Sequence, residues 1–385
     1  MKVLMIAPTP FFSDRGCHTQ IYEEIRALQK LGCTIRIVTY GLGRDIGDID
    51  IRRTINFPWY KKVSAGPSKT KILLLPFLTM KVIQQIILFK PVIIHAHLHE
   101  GALIARFCKW FFPRKKYLFD MQGSLTGETL QHGFVKENSF FYRLLLWLEK
   151  RIANWFFVIT QSDTMMAELQ AFGVPEHRRR NVHDGVDTEI FRPMPFNESL
   201  ALSLGIDPVR PRILYMGLLE QYQGADLMFE AFGYVAKAKP ETQFIIIGFP
   251  NIDKYKMQCD RSGILSNTFF LGKIDYTKLP EYLTLAPIAV APKISPTEGD
   301  GKIYNYMAMG MLTVAFDRSV SREILGDTGV FADFADAHKL ADKLIRAIDH
   351  PQETVRLGQL ARERAVTNLS WDAVGQRIFE VYNNL

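Results

Sequence analysis

The sequence predicts an α/β protein built from two Rossmann-like parallel-sheet domains that face each other across a cleft. Three observations lead to this fold class. The chain has 385 residues, which is too long for one ordinary core. Short apolar runs alternate with helix-length amphipathic segments in both halves of the chain. A proline-rich stretch separates the two series, as a linker between domains does.

The first half contains a series of short apolar runs, most of them followed by a helix-length segment. This order is expected for buried parallel strands, because a parallel connection needs a crossover that is usually a helix. The predicted strands are Val3–Ala7, Thr34–Thr39, Val92–Ala96, Tyr117–Met121, Trp155–Thr160 and a short piece near Val182. The segment Phe191–Arg212 is rich in proline, so the domain boundary is predicted near Pro193.

The second half restarts the same pattern. Its predicted strands are Ile213–Met216, Phe244–Ile247, Phe269–Leu271, Ile288–Ala291, Leu312–Ala315 and Val330–Ala332. Helices are predicted at Asp336–Asp349 and Pro351–Thr367, and Ser370–Leu385 is predicted as a terminal helix that crosses back to the first domain. The predicted domains are therefore residues 1–192 together with 371–385, and residues 193–370.

Composition and cysteine usage indicate the compartment. Apolar residues make up 48% of the chain and charged residues 23%, which is typical of a folded globular protein. The cysteines have no CxxC spacing and would make a poor disulfide framework. They are Cys17, Cys33, Cys108 and Cys259. The first residues, Met1–Phe12, lack the long apolar core of a signal peptide. These features predict a cytoplasmic protein.

The charge pattern indicates an anionic partner. The net charge is +7, and basic and aromatic residues alternate in Arg106–Tyr117. No helix-turn-helix, zinc or RNP-type motif accompanies this charge, so nucleic acid is not expected as a partner. The segment is interpreted either as a peripheral contact with the inner face of a membrane or as a solvated basic face over a core helix. The apolar stretch Ile72–Phe89 is interrupted by Pro76 and Lys81, so no spanning helix is predicted.

The first strand–helix junction contains Gly16 among small polar residues. Backbone amides and a helix N-terminus at such a junction can face an anion. The segment lacks GxGxxG and GxxxxGK[ST], so the residues alone leave a plain turn as the alternative.

The second domain carries the most informative segment, in which Glu298, two glycines and Lys302 directly precede a predicted helix. The amides of Gly299–Gly301 and the helix dipole suit phosphate, Glu298 suits sugar hydroxyls, and Lys302 suits negative charge. An ordinary helix cap remains the alternative for Glu298.

The order of these motifs resembles the retaining family-4 glycosyltransferases of GT-B fold over nearly the whole chain. The resemblance is carried by Gly16, the IIHAH stretch, TQSDTMMAEL, DGVDTEIFRP, GLLEQYQGAD, EGDGKIYNYMAMG and the LSW at Trp371. It implies a donor bound by the second domain, an acceptor bound by the first, and transfer with retention of configuration. It also implies that the leaving diphosphate helps to deprotonate the acceptor.

The resemblance assigns roles to particular residues. Catalytic roles fall on Gln122 and Glu298, and acceptor-side roles on Gly16, His97 and Gln122. Donor binding falls on Gly217, Gln223, Glu298, Gly299, Asp300, Gly301, Lys302 and Asn305. No metal and no cofactor are expected, apart from the nucleotide-diphosphate sugar as co-substrate. The acceptor is expected to be a glycan, a polysaccharide precursor or a lipid-linked molecule.

The chain departs from the family pattern at four places. Gly217 is followed by Leu218 where the family has arginine, and Gln223 stands in the place of a lysine. Gln122 replaces a histidine, and Asn305 replaces a second glutamate with the spacing one residue short. These losses leave open a catalytically silent homologue that binds a nucleotide sugar or a partner transferase. A sugar-nucleotide epimerase or hydrolase is a further alternative.

His95 and His97 alternate as residues of one strand do, so they are predicted to share a face. No carboxylate or cysteine pattern joins them in the sequence, so no metal site is predicted.

Overall fold

The computed structural model describes residues 1–12, 16–57, 69–131, 133–295 and 299–385. These residues form two compact units. The first unit comprises Met1–Asp184 and Trp371–Leu385, and the second comprises Gly185–Ser370. Each unit contains a parallel sheet covered by helices, so the predicted α/β class is confirmed.

The first unit has a seven-stranded sheet in the order β3-β2-β1-β4-β5-β6-β7. Its strands are β1 Lys2–Ala7, β2 Thr34–Thr39, β3 Asp50–Arg53, β4 Ile93–His97, β5 Lys116–Met121, β6 Phe157–Thr160 and β7 Arg179–Asn181. Adjacent strands pair in parallel, and β1 lies at the centre beside β2 and β4. The edge strand β3 is absent from the sequence prediction because its residues, DIRR, are polar and only half-buried.

Helices cover both sides of the first sheet. They are α1 Gly16–Lys30, α2 Lys69–Phe89, α3 Leu98–Phe111, α4 Leu125–Gln131, α5 Phe140–Ala153 and α6 Asp163–Ala171. The buried sides of α2, α3, α5 and α6 share one core with alternate residues of β1, such as Leu4 and Ile6. The other residues of β1, such as Val3 and Met5, pack with α1. This division follows from the alternation of side chains along a strand.

The second unit has a six-stranded sheet in the order β10-β9-β8-β11-β12-β13. Its strands are β8 Arg212–Leu218, β9 Gln243–Phe249, β10 Thr268–Phe270, β11 Ile288–Ala291, β12 Leu312–Phe316 and β13 Val330–Ala332. All adjacent pairs are parallel, so the loops that follow the strands lie at one edge of the sheet.

The helices of the second unit are α7 Glu198–Ser203, α8 Ala225–Ala238, α9 Ile252–Arg261, α10 Leu279–Leu283, α11 Gly301–Ala308, α12 Ser319–Leu325, α13 Ala337–Asp349 and α14 Pro351–Asn368. Local sequence sets several of their ends. The Asp336 carboxylate, for example, accepts a hydrogen bond from the Lys339 amide at 2.9 Å and so caps α13.

The terminal helix α15, Trp371–Asn384, belongs to the first unit, as predicted. It packs against α1, and Gly375 permits this contact because a Cβ there would lie 2.7 Å from the Cβ of Ala27. Ile378 and Tyr382 of α15 are fully buried in the same core.

Among the described helices, none is long and apolar enough to cross a membrane. The helix α2 covers the apolar stretch singled out in the sequence and contains Pro76 in its interior.

Candidate functional site

The predicted donor-binding residues of the second unit converge on the loops that follow β8 and β11. Gly217 lies near the end of β8, and Gln223 lies in the turn that precedes α8. Gly299 and Asp300 lie just before α11, which begins at Gly301. Because β8 and β11 are adjacent and parallel, these loops meet at the same edge of the sheet.

Lys302 is the centre of this group. Its ammonium Nζ donates to the Gln223 side-chain oxygen Oε1 at 2.8 Å and lies 2.9 Å from Oδ1 of Asp300. All three side chains are buried. Gln223 stands where the family pattern has a lysine, so Lys302 places an ammonium group directly beside that position. Lys302, which is distant in the sequence, thus brings a positive charge to the loop after β8.

Gly217 is required by this arrangement. Its φ of +150° is rarely adopted by residues with a side chain, and a Cβ there would lie 2.9 Å from the Cε atom of Lys302. The lysine methylene group therefore passes through the space that a side chain at position 217 would occupy.

Charged groups of both signs act on Lys302. Burial lowers the pKa of Lys302, the nearby Asp300 carboxylate opposes this shift, and the positive charges of Lys293 and Arg318 add to it. Lys293 and Arg318 follow β11 and β12, so they belong to the same edge of the sheet. Among the charged groups that act on Lys302, cations outnumber carboxylates, which suits an anionic ligand.

The segment before α11 leaves room in front of the helix. A Cβ at Gly299 or Gly301 would meet no described atom within 4 Å. The Gly299 carbonyl accepts a hydrogen bond from the Lys293 ammonium at 2.7 Å, which holds this segment in place. Asp300 occupies the N-cap position of α11, but its side chain makes no capping hydrogen bond and pairs with Lys302 instead.

Two further predicted donor-binding residues have different outcomes. Asn305 lies on α11, three residues after Lys302, and is half-buried. Glu298 lies outside the described residues, so its role stays a prediction.

In the first unit, the structure brings together two of the predicted acceptor-side residues, His97 and Gln122. The Asp120 carboxylate oxygen Oδ2 accepts hydrogen bonds from His97 Nδ1 and Gln122 Nε2, both at 2.8 Å. His97 ends β4 and Asp120 lies on the neighbouring strand β5. Since Asp120 takes the amide nitrogen of Gln122, the other side-chain atom, Oε1, is left as an acceptor without a partner in the described structure. Gly16 is the first residue of α1.

Sequence reasoning missed the buried acids around these histidines. Glu24, His95, His97 and Asp120 each place one nitrogen or oxygen atom within 4.8 Å of the others. The two imidazole rings stack with centroids 4.3 Å apart, which confirms that they share a face. His95 Nδ1 also contacts the Tyr382 hydroxyl at 2.8 Å.

A signal for these acids exists in the sequence. Glu24 lies among the buried residues Ile21, Ile25 and Leu28 of α1, and Asp120 interrupts an otherwise apolar strand. A charged residue on an apolar face needs a partner. Gln20 and Gln122 are close in the sequence to Glu24 and Asp120, but the two histidines come from another strand and cannot be found from spacing alone.

Burial shifts the pKa values of several groups in and beside this cluster. The pKa of Glu24 is raised well above its usual value by burial and then by the Asp120 charge. Burial and the Asp120 charge also raise the pKa of Asp184 to about 7. The pKa of His95 is lowered well below its usual value by burial and then by His97. Two imidazoles and two carboxylates are also ligand types for a transition-metal cation.

A Rossmann-like parallel sheet with a cation-lined loop ahead of a helix defines a nucleotide-binding class of α/β protein. Comparison with known families narrows this class. Residues 15–190 match the model of Glycosyltransferase Family 4, and residues 198–364 match the model of Glycosyl transferases group 1. The chain belongs to family 4 of the glycosyltransferases of GT-B fold, as the order of its motifs predicted.

Curated relatives match part of the chain. A GDP-mannose-dependent monoacylated α-(1-6)-phosphatidylinositol monomannoside mannosyltransferase of Corynebacterium glutamicum is 26% identical over 208 residues, covering 51% of this chain and 54% of the relative. A glycogen synthase of Mycobacterium tuberculosis is 26% identical over 209 residues, covering 51% and 50%. The chain thus spans about half the length of these relatives.

Solved structures match the whole chain. HepE of Anabaena in complex with UDP has a TM-score of 0.79 at 17% identity, with 100% of both chains covered. Sucrose-phosphate synthase of Thermosynechococcus elongatus has a TM-score of 0.78 at 17% identity, covering 100% of this chain and 98% of that one. These likenesses show the fold.

Proposed function

We propose that this protein transfers a sugar from a nucleotide-diphosphate donor to an acceptor hydroxyl, with retention of configuration and without a metal ion. The second unit binds the donor and the first unit binds the acceptor. Membership of the glycosyltransferase family supports the reaction class, and a structural relative crystallised with UDP-glucose supports the type of donor.

The observation that carries the proposal is the position of Lys302. Its buried ammonium group contacts Gln223 at the place where the family pattern has a lysine. Diphosphate oxygens are strong hydrogen-bond acceptors, and an ammonium group in a partly desolvated site binds them more strongly than in water. The amides of Gly299–Gly301 and the N-terminus of α11 add donors on the same side.

The proposed mechanism depends on positioning and electrostatics. As the bond between sugar and diphosphate breaks, negative charge grows on the diphosphate, and Lys302 with the α11 N-terminus stabilises it. A leaving oxygen takes the proton of the acceptor hydroxyl, which attacks from the same face of the sugar. Gln122, held by Asp120, orients a hydroxyl through its Oε1 atom, and Glu298 binds sugar hydroxyls.

Lys302→Met tests the donor site because it keeps the length of the side chain and removes its charge. Titration calorimetry with UDP, GDP and ADP identifies the base in the unaltered protein. We expect the variant to bind the preferred nucleotide about 100-fold more weakly, since a charged hydrogen bond and a favourable field are lost. Lys339→Met, on the exposed side of α13, is the matched control and should bind normally. Unchanged affinity in Lys302→Met would refute the donor site.

The acceptor is proposed to be a lipid-linked molecule or a polysaccharide precursor at the cytoplasmic face of a membrane. Support comes from relatives whose names specify phosphatidylinositol mannosides as substrates. A transfer assay with a radiolabelled donor, run with lipid extracts and in the presence of EDTA, reports both acceptor class and metal independence. Retained transfer in EDTA is the expected outcome.

The second candidate function is a catalytically silent homologue that binds a nucleotide sugar or a partner transferase. It is favoured by the neutral residues at Gln122 and Asn305, where the family pattern has ionisable ones. Nucleotide binding without donor consumption, across all acceptors supplied, would identify it.

A further inference from the structure

The outer surface of α2, α3 and α5 in the first unit is rich in exposed apolar side chains. These three helices cover one side of the sheet, with their inner residues in one core. The helix α3 packs against both α2 and α5, so their outer sides form one continuous surface. We call this surface the apolar–basic face.

The helix α3 contributes an exposed aromatic cluster. Trp110 is 66% exposed, and Phe107 and Phe111 are also exposed. The Phe107 ring lies 5.8 Å from the Trp110 ring and 5.3 Å from the Phe111 ring, measured between centroids. An aromatic cluster of this size on the solvent side of a helix is unfavourable in water unless another apolar phase covers it.

The helices on either side continue the cluster. On α5, Phe140 is 75% exposed, and Phe141, Leu144 and Trp147 are exposed beside it. The helix α2 is apolar on both sides. Its inner residues Leu74, Leu78, Val82 and Ile86 are buried in the core, whereas Leu73, Met80, Ile87 and Leu88 face outward. A helix that only covers a sheet normally has a polar outer side.

Positive charge accompanies the apolar residues. Exposed cations on or beside these helices include Lys90, Arg114, Arg143, Lys150 and Arg151. The sequence of α2 contains no acidic residue. The acid on α5, Glu149, is buried and accepts hydrogen bonds from the Leu125 and Thr126 amides, so it does not face outward.

Arginine and tryptophan side chains are paired on this face. The Arg106 guanidinium lies over the Trp110 ring at 5.6 Å, and that of Arg151 over the Trp147 ring at 5.5 Å. Tryptophan with neighbouring arginine or lysine is typical of the bilayer interface, where the ring enters the headgroup region and the cation contacts lipid phosphate.

From these observations we infer that the apolar–basic face docks the protein on a lipid bilayer that contains anionic headgroups. A protein interface would also be rich in aromatic residues and arginine, so the test below includes a protein partner as a separate outcome. Nucleic acid would leave the aromatic residues uncovered by an apolar phase. The inference goes beyond the proposed function, since binding to a membrane requires neither a donor nor sugar transfer.

Vesicle flotation with the full chain tests the inference. The protein should float with vesicles that contain about one-third phosphatidylglycerol, should bind pure phosphatidylcholine weakly, and should be released as salt rises. The double variant Trp110→Ser/Phe111→Ser should bind anionic vesicles at least about tenfold more weakly, because the apolar anchor is lost. Arg114→Gln should weaken binding to anionic vesicles about fivefold, with the largest effect at low salt.

Matched controls lie in the second unit. Phe334, which is 52% exposed, and the exposed Arg356 provide Phe334→Ser and Arg356→Gln, and neither change should alter flotation. Nucleotide affinity should be unchanged in all of these variants, which separates this test from that of the proposed function. Equal flotation of the unaltered protein and the Trp110→Ser/Phe111→Ser variant would overturn the inference. A dimer that dissociates in this variant, with no vesicle binding by the unaltered protein, would also overturn it and would assign the face to a second copy of the chain.

Discussion

The two units carry different ionisable groups at the carboxyl ends of sheets that are otherwise built alike. In the second unit, the Asp300 carboxylate and the positive charges of Lys293 and Arg318 act on Lys302. In the first unit, Glu24, Asp120 and Asp184 influence one another around a histidine pair. The sheet topology fixes where the loops meet, and the side chains decide which charge the site attracts.

Under the proposed function, this difference divides donor binding and acceptor binding between the two units. A cationic edge binds a diphosphate and stabilises the charge that develops on it. An edge rich in carboxylates repels a diphosphate, but it can accept hydrogen bonds from the hydroxyl groups of an acceptor. The predictions below would break or sharpen this comparison.

The largest effect is expected for Glu298→Ala in the second unit. Loss of the proposed contact with the sugar hydroxyls should lower turnover about 100-fold, because the contact positions the reacting sugar. Glu363→Ala, at an exposed position on α14, is the matched control. Steady-state kinetics give the comparison, and thermal unfolding checks that the fold is intact. Near-normal turnover in Glu298→Ala would remove this residue from the mechanism.

A smaller effect is expected for Asp120→Asn in the first unit. The change weakens the hydrogen bonds that hold His97 and Gln122, so turnover should fall about tenfold. Nucleotide affinity, measured by calorimetry, should stay within about twofold of normal, because the donor is assigned to the other unit. An equal loss of nucleotide affinity would contradict the division of tasks.

The smallest effect is a pH-dependent change in stability for Asp184→Asn. The pKa of Asp184 is raised from its unfolded value of 3.8 to about 7 in the folded protein. Below pH 3.8 the carboxyl is protonated in both states, so its ionisation does not lower the free energy of unfolding. As pH rises towards 7 the unfolded state ionises first, so the folded state loses stability, and above pH 7 the loss is complete.

Asp184→Asn removes this cost. The variant should therefore gain about 1 kcal/mol more stability at pH 6 than at pH 5, relative to the unaltered protein. Urea unfolding at the two pH values measures the difference. Asp187→Asn, at the start of the second unit and outside the cluster, is the comparison variant. An equal gain at both pH values would show that the pKa of Asp184 is not raised in the folded protein.

The fold could be predicted from the sequence because a local pattern indicates most of its strands and helices. Buried parallel strands such as β1 and β9 consist mainly of apolar residues, and the Pro-rich stretch around Pro193 interrupts the pattern. The polar edge strand β3 gives no such signal. Edge strands of a parallel sheet are hard to predict from the sequence, because one or both of their faces meet solvent.

Individual residues of the site could be predicted from the sequence, but the contacts between them could not. Lys302 and Gln223 were each singled out by comparison with the family pattern, but they are 79 residues apart and their hydrogen bond depends on two adjacent strands. Asp120 was missed because its partner His97 comes into reach only when β4 and β5 pair. Contacts of this kind follow from topology, which spacing within one segment does not encode.

The place of α15 in the first unit has a consequence for biosynthesis. Tyr382, which contacts His95, leaves the ribosome only after all residues of the second unit. The second unit is one uninterrupted stretch of chain and can fold as soon as it has emerged. The first unit must wait with part of its core uncovered, so nascent chains arrested before residue 371 should need chaperone protection there.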